Sequence, residues 1–330
     1  MPNLQLSLTC AHYDRTRALF DGRVRIDGVD LVPTPLEPEE AFHRAFKYRE
    51  FDITEISLSS HTVMTARGEN AYIGVPAFLS RVFRHSGIYI NTTKGIQRPE
   101  DLRGRTIGVP EYQITANVWI RGLLSDEYGV RPHEIRWRRG GIEQPGRGER
   151  SPIQLPANVE LTQIPDYKTL SGMLEAGELD ALISARAPSC FLRGAPTVAR
   201  LFPDFKQAEM DYYRRTKLFP IMHAVGIRRE LVERHPWLAV NVYKGFLEAK
   251  RLAVQDLNEI NMLLVTLPWV VHEYNATKAL MGEDFWAYGV HENRHALEVF
   301  TRYHHEQGLS TRRVAPEELF APSTLELSKI

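Results

Sequence analysis

The sequence predicts an α/β protein of two lobes, with two chain crossings between them. Three observations carry this reading. Short alternating or β-branched runs take turns with helical stretches along most of the 330 residues, which argues for largely parallel sheets. A first block of this kind closes near residue 91 and a second opens near Thr106. One extended run, 222–227, then follows without a helix–strand unit of its own and fits as a strand returning to the first sheet. The expected division is a discontinuous lobe of residues 1–108 and 217–330 and a second lobe of 109–216. The crossings fall near 106–110 and 205–220, and a ligand cleft opens between the lobes at the strand ends.

Each element has its own signal. Residues 4–10 alternate as a strand. Residues 14–20 read as a short helix stopped at Asp21-Gly22. A turn at Asp27-Gly28 precedes a second strand, up to Pro33. In 37–48, Ala41, Phe42, Ala45 and Phe46 share one helix side. Residues 51–57 form a third strand. A helix over 58–67 takes Ser59 or Ser60 as its N-cap. Residues 71–76 and 82–91 are extended. A helical turn and a glycine lead into a strand at 106–110, and a helix covers 113–128. Strands at 135–137 and 159–164 flank a Gly/Pro/Arg loop, 138–156. A helix (168–176) and a strand (179–184) follow. Residues 201–220 are mixed. Helix is expected over 229–259, 268–281 and 293–306.

Composition narrows the function. Forty-one basic and 41 acidic residues balance, without the basic excess of a nucleic-acid binder. The most apolar stretch, 261–271, is too short for a membrane span and contains Pro268. The opening Met1-Pro2-Asn3-Leu4-Gln5 has no basic leader, so no export signal is expected. The two cysteines, Cys10 and Cys190, form no CxxC pattern, which points to a reducing cytoplasm.

Six segments carry a resemblance: residues 13–22 (YDRTRALFDG), 53–60 (ITEISLSS), 81–86 (RVFRHS), 108–116 (GVPEYQITA), 181–189 (ALISARAPS) and 219–223 (FPIMH). In this order the chain resembles the type II periplasmic-binding-protein-like fold and, within it, the 4,5-dihydroxyphthalate decarboxylase family. The resemblance implies cytoplasmic, cofactor-independent removal of one carboxylate from 4,5-dihydroxyphthalate. The products would be protocatechuate and carbon dioxide. It also implies a homo-oligomer.

Such chemistry needs a cationic clamp for the carboxylate that stays, a base near the phenol and an acid over the ring carbon. The leaving group needs a poorly solvated place. Arg15 and Arg186 follow strands and are the first clamp candidates. If 82–91 is a continuous strand, Arg81 and Arg84 face opposite sides, so Arg84 is favoured and Arg81 held in reserve. Gln113 and Thr115 open a helix whose free N–H groups suit an anion, and Ser57 and Ser59 offer a similar position. His223, on the returning strand, is expected to donate the proton to carbon, with Glu55 as partner of a phenol. His85 and His12 are weaker acid–base candidates.

Two motifs carry less weight. His291-Glu292-Asn293-Arg294-His295 matches HExxH, but Gly289 places His291 at or before a helix start, so no metal is expected there. The glycine-rich run 138–148 lacks P-loop spacing. The competing reading is a cytoplasmic binding or sensor protein for aromatic acids, without turnover.

Overall fold

The computed structural model describes residues 2–149 and 153–327. The first strands, β1 (Leu4–Cys10), β2 (Val29–Pro35), β3 (Ile53–Ser57) and β4 (Tyr72–Arg81), belong to one sheet. The next six, β5 (Ile88–Asn91), β6 (Thr106–Val109), β7 (Arg136–Arg139), β8 (Leu161–Gln163), β9 (Ala181–Ile183) and β10 (Val198–Arg200), form a second sheet in the order β10-β5-β9-β6-β7-β8. Then β11 (Ile221–Arg228) returns to the first, giving β2-β1-β3-β11-β4. The fold class is therefore α/β with two sheets.

The chain divides into two compact units, Met1–Arg81 with Ile221–Glu298 and Val314–Ile330, and Val82–Pro220 with Val299–Arg313. The expected first boundary, at 108/109, falls inside the second unit, because β5 already pairs with β9 and β10 there. The last helix, Arg294–Glu306, also passes from one unit to the other. Its second half packs on the helix Thr115–Tyr128 of the second unit. Trp119 meets the rings of Phe300 and Tyr303, and a Cβ on Gly122 would stand 2.1 Å from Tyr303.

Neither sheet is wholly parallel. β11 runs antiparallel to both β3 and β4, and β5 runs antiparallel to β9 and β10. Each is the first strand after the chain enters its unit. The expected extended run 82–91 is broken, since Arg84 has φ −125° and ψ 7° and His85–Gly87 form a 3-10 turn. The opposite-face argument for Arg81 and Arg84 therefore has no strand to act on. The N-cap at 58–67 is Ser57, not Ser59 or Ser60. β3 runs into this helix without a loop, and the Ser57 hydroxyl accepts from Ser60 N–H. The long helix expected at 229–259 is two, Arg229–Arg234 and Leu238–Leu257. Pro236 parts them, having no N–H and disfavouring helix at His235. Within 201–220, Phe205–Thr216 is a helix capped by Asp204, which accepts from Gln207 N–H. Of the loop 138–156, residues 150–152 lie outside the described residues.

The pairing of β11 with β4 is interrupted on both sides of His223: His223 faces Ser80 and Val225 faces Val75. Between those partners β4 has Pro76, Ala77, Phe78 and Leu79, while β11 has only Ala224. This bulge releases backbone carbonyls from the ladder. Pro76 O accepts from Gly289 N–H, Phe78 O from Trp286 Nε1 and Leu79 O from Arg15 Nε. Among the described residues no helix is long and apolar enough to cross a membrane.

Candidate active site

Ionisable side chains converge on β3 in the first unit. Every residue of β3 is buried, and Glu55 is 0% exposed. A carboxylate so placed is tolerated only with its oxygens satisfied. Tyr13 donates its hydroxyl to Oε1 at 2.8 Å, and Ala11 its N–H to Oε2 at 3.1 Å. His223 Nδ1 lies 2.6 Å from Oε1. Register explains the last contact. Val225 is opposite Glu55, and His223, two residues along β11, shares that face on the diagonal. Burial alone would push the Glu55 carboxyl up. The hydrogen bond and charge of His223, with the donors Ala11 and Tyr13, hold it below the usual carboxylate range instead. Burial and the neighbouring Glu55 charge push the Tyr13 phenol well up, so it remains a donor.

With Glu55 fixed as acceptor, Nδ1 of His223 is the donating nitrogen. Its other nitrogen, Nε2, makes no hydrogen bond among the described residues, and 18% of the side chain is exposed. The edge of Phe42 packs against the ring, centroids 4.8 Å apart. The arrangement is a carboxylate–imidazole pair with one nitrogen available for proton transfer.

Arg15 stands next to this pair. Its guanidinium lies between two rings, 4.1 Å from the centre of Tyr13 and 4.4 Å from that of Trp286. Nε donates to Leu79 O at 2.7 Å, and Nη1 to Asp14 at 3.0 Å. Nη2 has no hydrogen-bond partner among the described residues. Tyr13 thus links the acid–base pair to a cation whose plane is fixed and whose charge is only partly neutralised. Sequence reasoning missed Tyr13 and Trp286. Tyr13 is the N-cap of the helix Asp14–Phe20, near a candidate, and could have been found. Trp286 is brought in only by the β4 bulge, which has no local sequence signal.

Other candidates have structural work. Arg81 is buried and donates to Ala287 O and Asn293 Oδ1, which ties the 287–293 turn to β4. Ser57 caps a helix. His12 is exposed, its ring edge against Phe20.

In the second unit Arg84, His85 and Glu209 gather. Burial lowers the half-buried Arg84 to about 10, with Glu209 acting against it. Burial raises Glu209 to about 7, opposed by the N–H groups of Ser86 and His85 and by Arg84. His85 is buried between Phe202 and Tyr212 and held down to about 4, by burial and then Arg215. A histidine so enclosed is poorly placed as an acid–base group. Arg186 is exposed in the loop after β9, its N–H donating to Ser184 Oγ. Gln113 and Thr115 are buried at the start of helix Thr115–Tyr128. Part of the anion seat expected there is filled by Glu149, which accepts the N–H groups of Tyr112 and Gln113. His291 lies in the turn before the last helix, which begins at Arg294. Among the described residues no three His, Cys, Asp or Glu side chains are grouped to hold a metal ion.

No protein-family model matches the chain. Among solved structures it is similar to a periplasmic sulfonate-binding protein of Methylobacillus flagellatus, with TM-score 0.56 and 11% identity over 97% of this chain and 92% of that one. It is also similar to the periplasmic aliphatic sulphonate binding protein of Escherichia coli, with TM-score 0.52 and 12% identity over 99% and 100%. These likenesses establish a periplasmic-binding-protein-like fold. A 4,5-dihydroxyphthalate decarboxylase of Comamonas testosteroni is 49% identical over 330 residues, the full length of both chains. One of Pseudomonas putida is 50% identical over 214 residues, covering 65% of this chain and 83% of the relative. The chain belongs to the 4,5-dihydroxyphthalate decarboxylase family.

Proposed function

We propose that the protein is a carboxy-lyase that removes one carboxylate from 4,5-dihydroxyphthalate, giving 3,4-dihydroxybenzoate and carbon dioxide. The observation that carries the mechanism is the Glu55–His223 pair, with Nδ1 held and Nε2 available. Protonated His223 gives its Nε2 proton to the ring carbon that bears the departing carboxylate. The bond from that carbon to the carboxylate then breaks. Its electron pair returns to the ring, aromaticity is restored and carbon dioxide leaves. One proton is taken up per turnover, and His223 recovers it from solvent.

Glu55 takes a different part from the one expected. Its oxygens are occupied by Tyr13, His223 and Ala11, so the phenol it partners is Tyr13, not the substrate. It is a positioning residue that aims His223 and stabilises the imidazolium, as the buried carboxylate does in a catalytic triad. The clamp for the staying carboxylate is Arg15, with a free Nη2 and an aromatic sandwich that holds its plane. Arg84 and Arg186 are further carboxylate ligands, and Gln113, Thr115 and Ser57 are polar contacts. Reaction in the cytoplasm, within the breakdown of phthalates, suits a chain whose two cysteines are both free thiols.

The test separates catalysis from binding. His223→Gln is expected to lose turnover by about 10²–10⁴-fold, while calorimetric binding of 4,5-dihydroxyphthalate stays within about threefold because the arginines remain. Wild-type protein that binds the compound without consuming it would overturn the proposal in favour of a sensor.

A further inference from the structure

The first unit bears an apolar surface that its own chain leaves uncovered. Between the helices Leu238–Leu257 and Val270–Met281 (residues 260–269) the sequence is apolar and carries no charge. Ile260 and Trp269 are each 72% exposed and Met262 66%, while Leu263, Leu264 and Leu267 are about half exposed. Side chains of this kind normally lie inside. At roughly 100 Å² each they make a patch of about 600 Å², the upper end for a single chain.

The helix that follows has the same deficit. Helix Leu238–Leu257 buries Leu238, Val242, Tyr243, Phe246 and Ala249 among others, whereas Val270–Met281 buries Val270 alone. A helix of 12 residues is marginal in water and depends on packing one face against something else. Little of that packing comes from its own chain.

We propose that residues 260–281 form the contact by which a second copy of this chain docks, about a two-fold axis. A two-fold contact sets the same surface against itself, and its uncharged part, 260–269, can do so without bringing like charges together, with Glu273 and Lys278 on the helix beside it. Doubling the patch buries about 1,200 Å², which reaches the range of specific interfaces. A membrane is the poorer occupant. Its surface favours Lys and Arg beside an apolar face, while the charged residues nearest the run 260–269 are Glu259 and Glu273, with one cation, Lys278, further along the helix.

Light scattering on full-length protein at micromolar concentration tests the contact. The wild type is expected at no less than twice the single-chain mass of 37.8 kDa. Leu263→Glu combined with Leu267→Glu, and separately Met262→Lys, should each lower the number of chains with the circular dichroism unchanged. These positions are exposed, so the fold does not depend on them. Amide exchange over 270–281 should speed up about tenfold or more in the variants. A single-chain mass for the wild type would overturn the proposal. So would folded variants of unchanged mass, or single chains that sediment with phosphatidylcholine–phosphatidylserine vesicles.

Discussion

Replacing Glu55 by Gln is a sharp perturbation of the acid–base pair, because it keeps the volume and removes the charge. The carboxylate receives three donors, from Tyr13, His223 and Ala11. Glutamine replaces one acceptor oxygen by an NH₂ group: turned toward Ala11 it leaves that N–H facing a donor, and turned toward His223 it favours the tautomer with Nδ1 unprotonated. One unsatisfied buried group costs about 1–3 kcal/mol. The imidazolium also loses its counter-charge, and breaking a buried pair costs about 3–5 kcal/mol. The unsatisfied group weighs on the ground and transition states alike, so only the lost pair counts; at 1.36 kcal/mol per factor of ten, kcat is expected to fall by about 10²–10⁴, the usual worth of a general acid. KM should stay within about threefold, since the Glu55 oxygens are taken by Tyr13, His223 and Ala11. The assay is the initial rate of 3,4-dihydroxybenzoate formation, with circular dichroism to establish folding. The acid limb gives a second readout. The Glu55 carboxyl is held below its usual range, so its stabilisation is present above the ordinary carboxylate value of about 4.3 and is lost as pH falls toward its folded value. The variant should lack that loss. A folded Glu55→Gln enzyme with kcat within threefold of wild type would refute the reasoning.

Arg15→Met keeps the stem and removes the cation, and a lost charged hydrogen bond of about 1.5–3 kcal/mol should raise KM by about 10–100-fold. An unchanged KM would remove Arg15 from the clamp. Arg84→Met should raise KM in the same direction and leave Glu209 less opposed, so the Glu209 carboxyl should move further up, readable by carboxyl resonances in NMR titration. His61 is held neutral, with Nε2 donating to Leu319 O and Nδ1 accepting from Asn70, and burial lowers it from 6.5 to about 4. The unfolded chain therefore takes the proton first. The stabilisation is complete above about pH 6.5 and falls as pH drops toward 4, by about 2 kcal/mol between pH 7 and 5 from His61 alone. Urea unfolding of wild type against His61→Gln at both pH values measures it, and equal pH dependence would count against it.

Much of the fold could be read from local pattern. The alternation at 4–10 and the apolar side of 37–48 mark their elements because each is half-buried. What local pattern could not give was pairing over distance. β11 was legible as a returning strand, but its antiparallel direction depends on where the chain enters the unit. The broken run at 82–91 turned on the backbone of Arg84, which no periodicity encodes. Pro236 and Asp204 are local signals for the helix break and the cap at 205, which the single expected helix 229–259 and the mixed run 201–220 leave unused. In the site, Glu55 stood out as a carboxylate in an apolar strand and His223 as an ionisable group on the returning strand. Their contact, 168 residues apart, came from register. The hydrogen bond from Tyr13 to Glu55 spans 42 residues, so no local pattern announces that an acceptor position of the carboxylate is taken. The contact of Gln113 N–H with Glu149, 36 residues away, likewise has no local sequence signal.

One incubation tests most directly whether 4,5-dihydroxyphthalate loses a carboxylate through proton transfer from His223. Chelator-treated protein is mixed with 4,5-dihydroxyphthalate, and carbon dioxide and 3,4-dihydroxybenzoate are followed together. The account predicts both products in equal amounts at a rate that collapses in His223→Gln. Binding without either product, or an undiminished rate in His223→Gln, would contradict it.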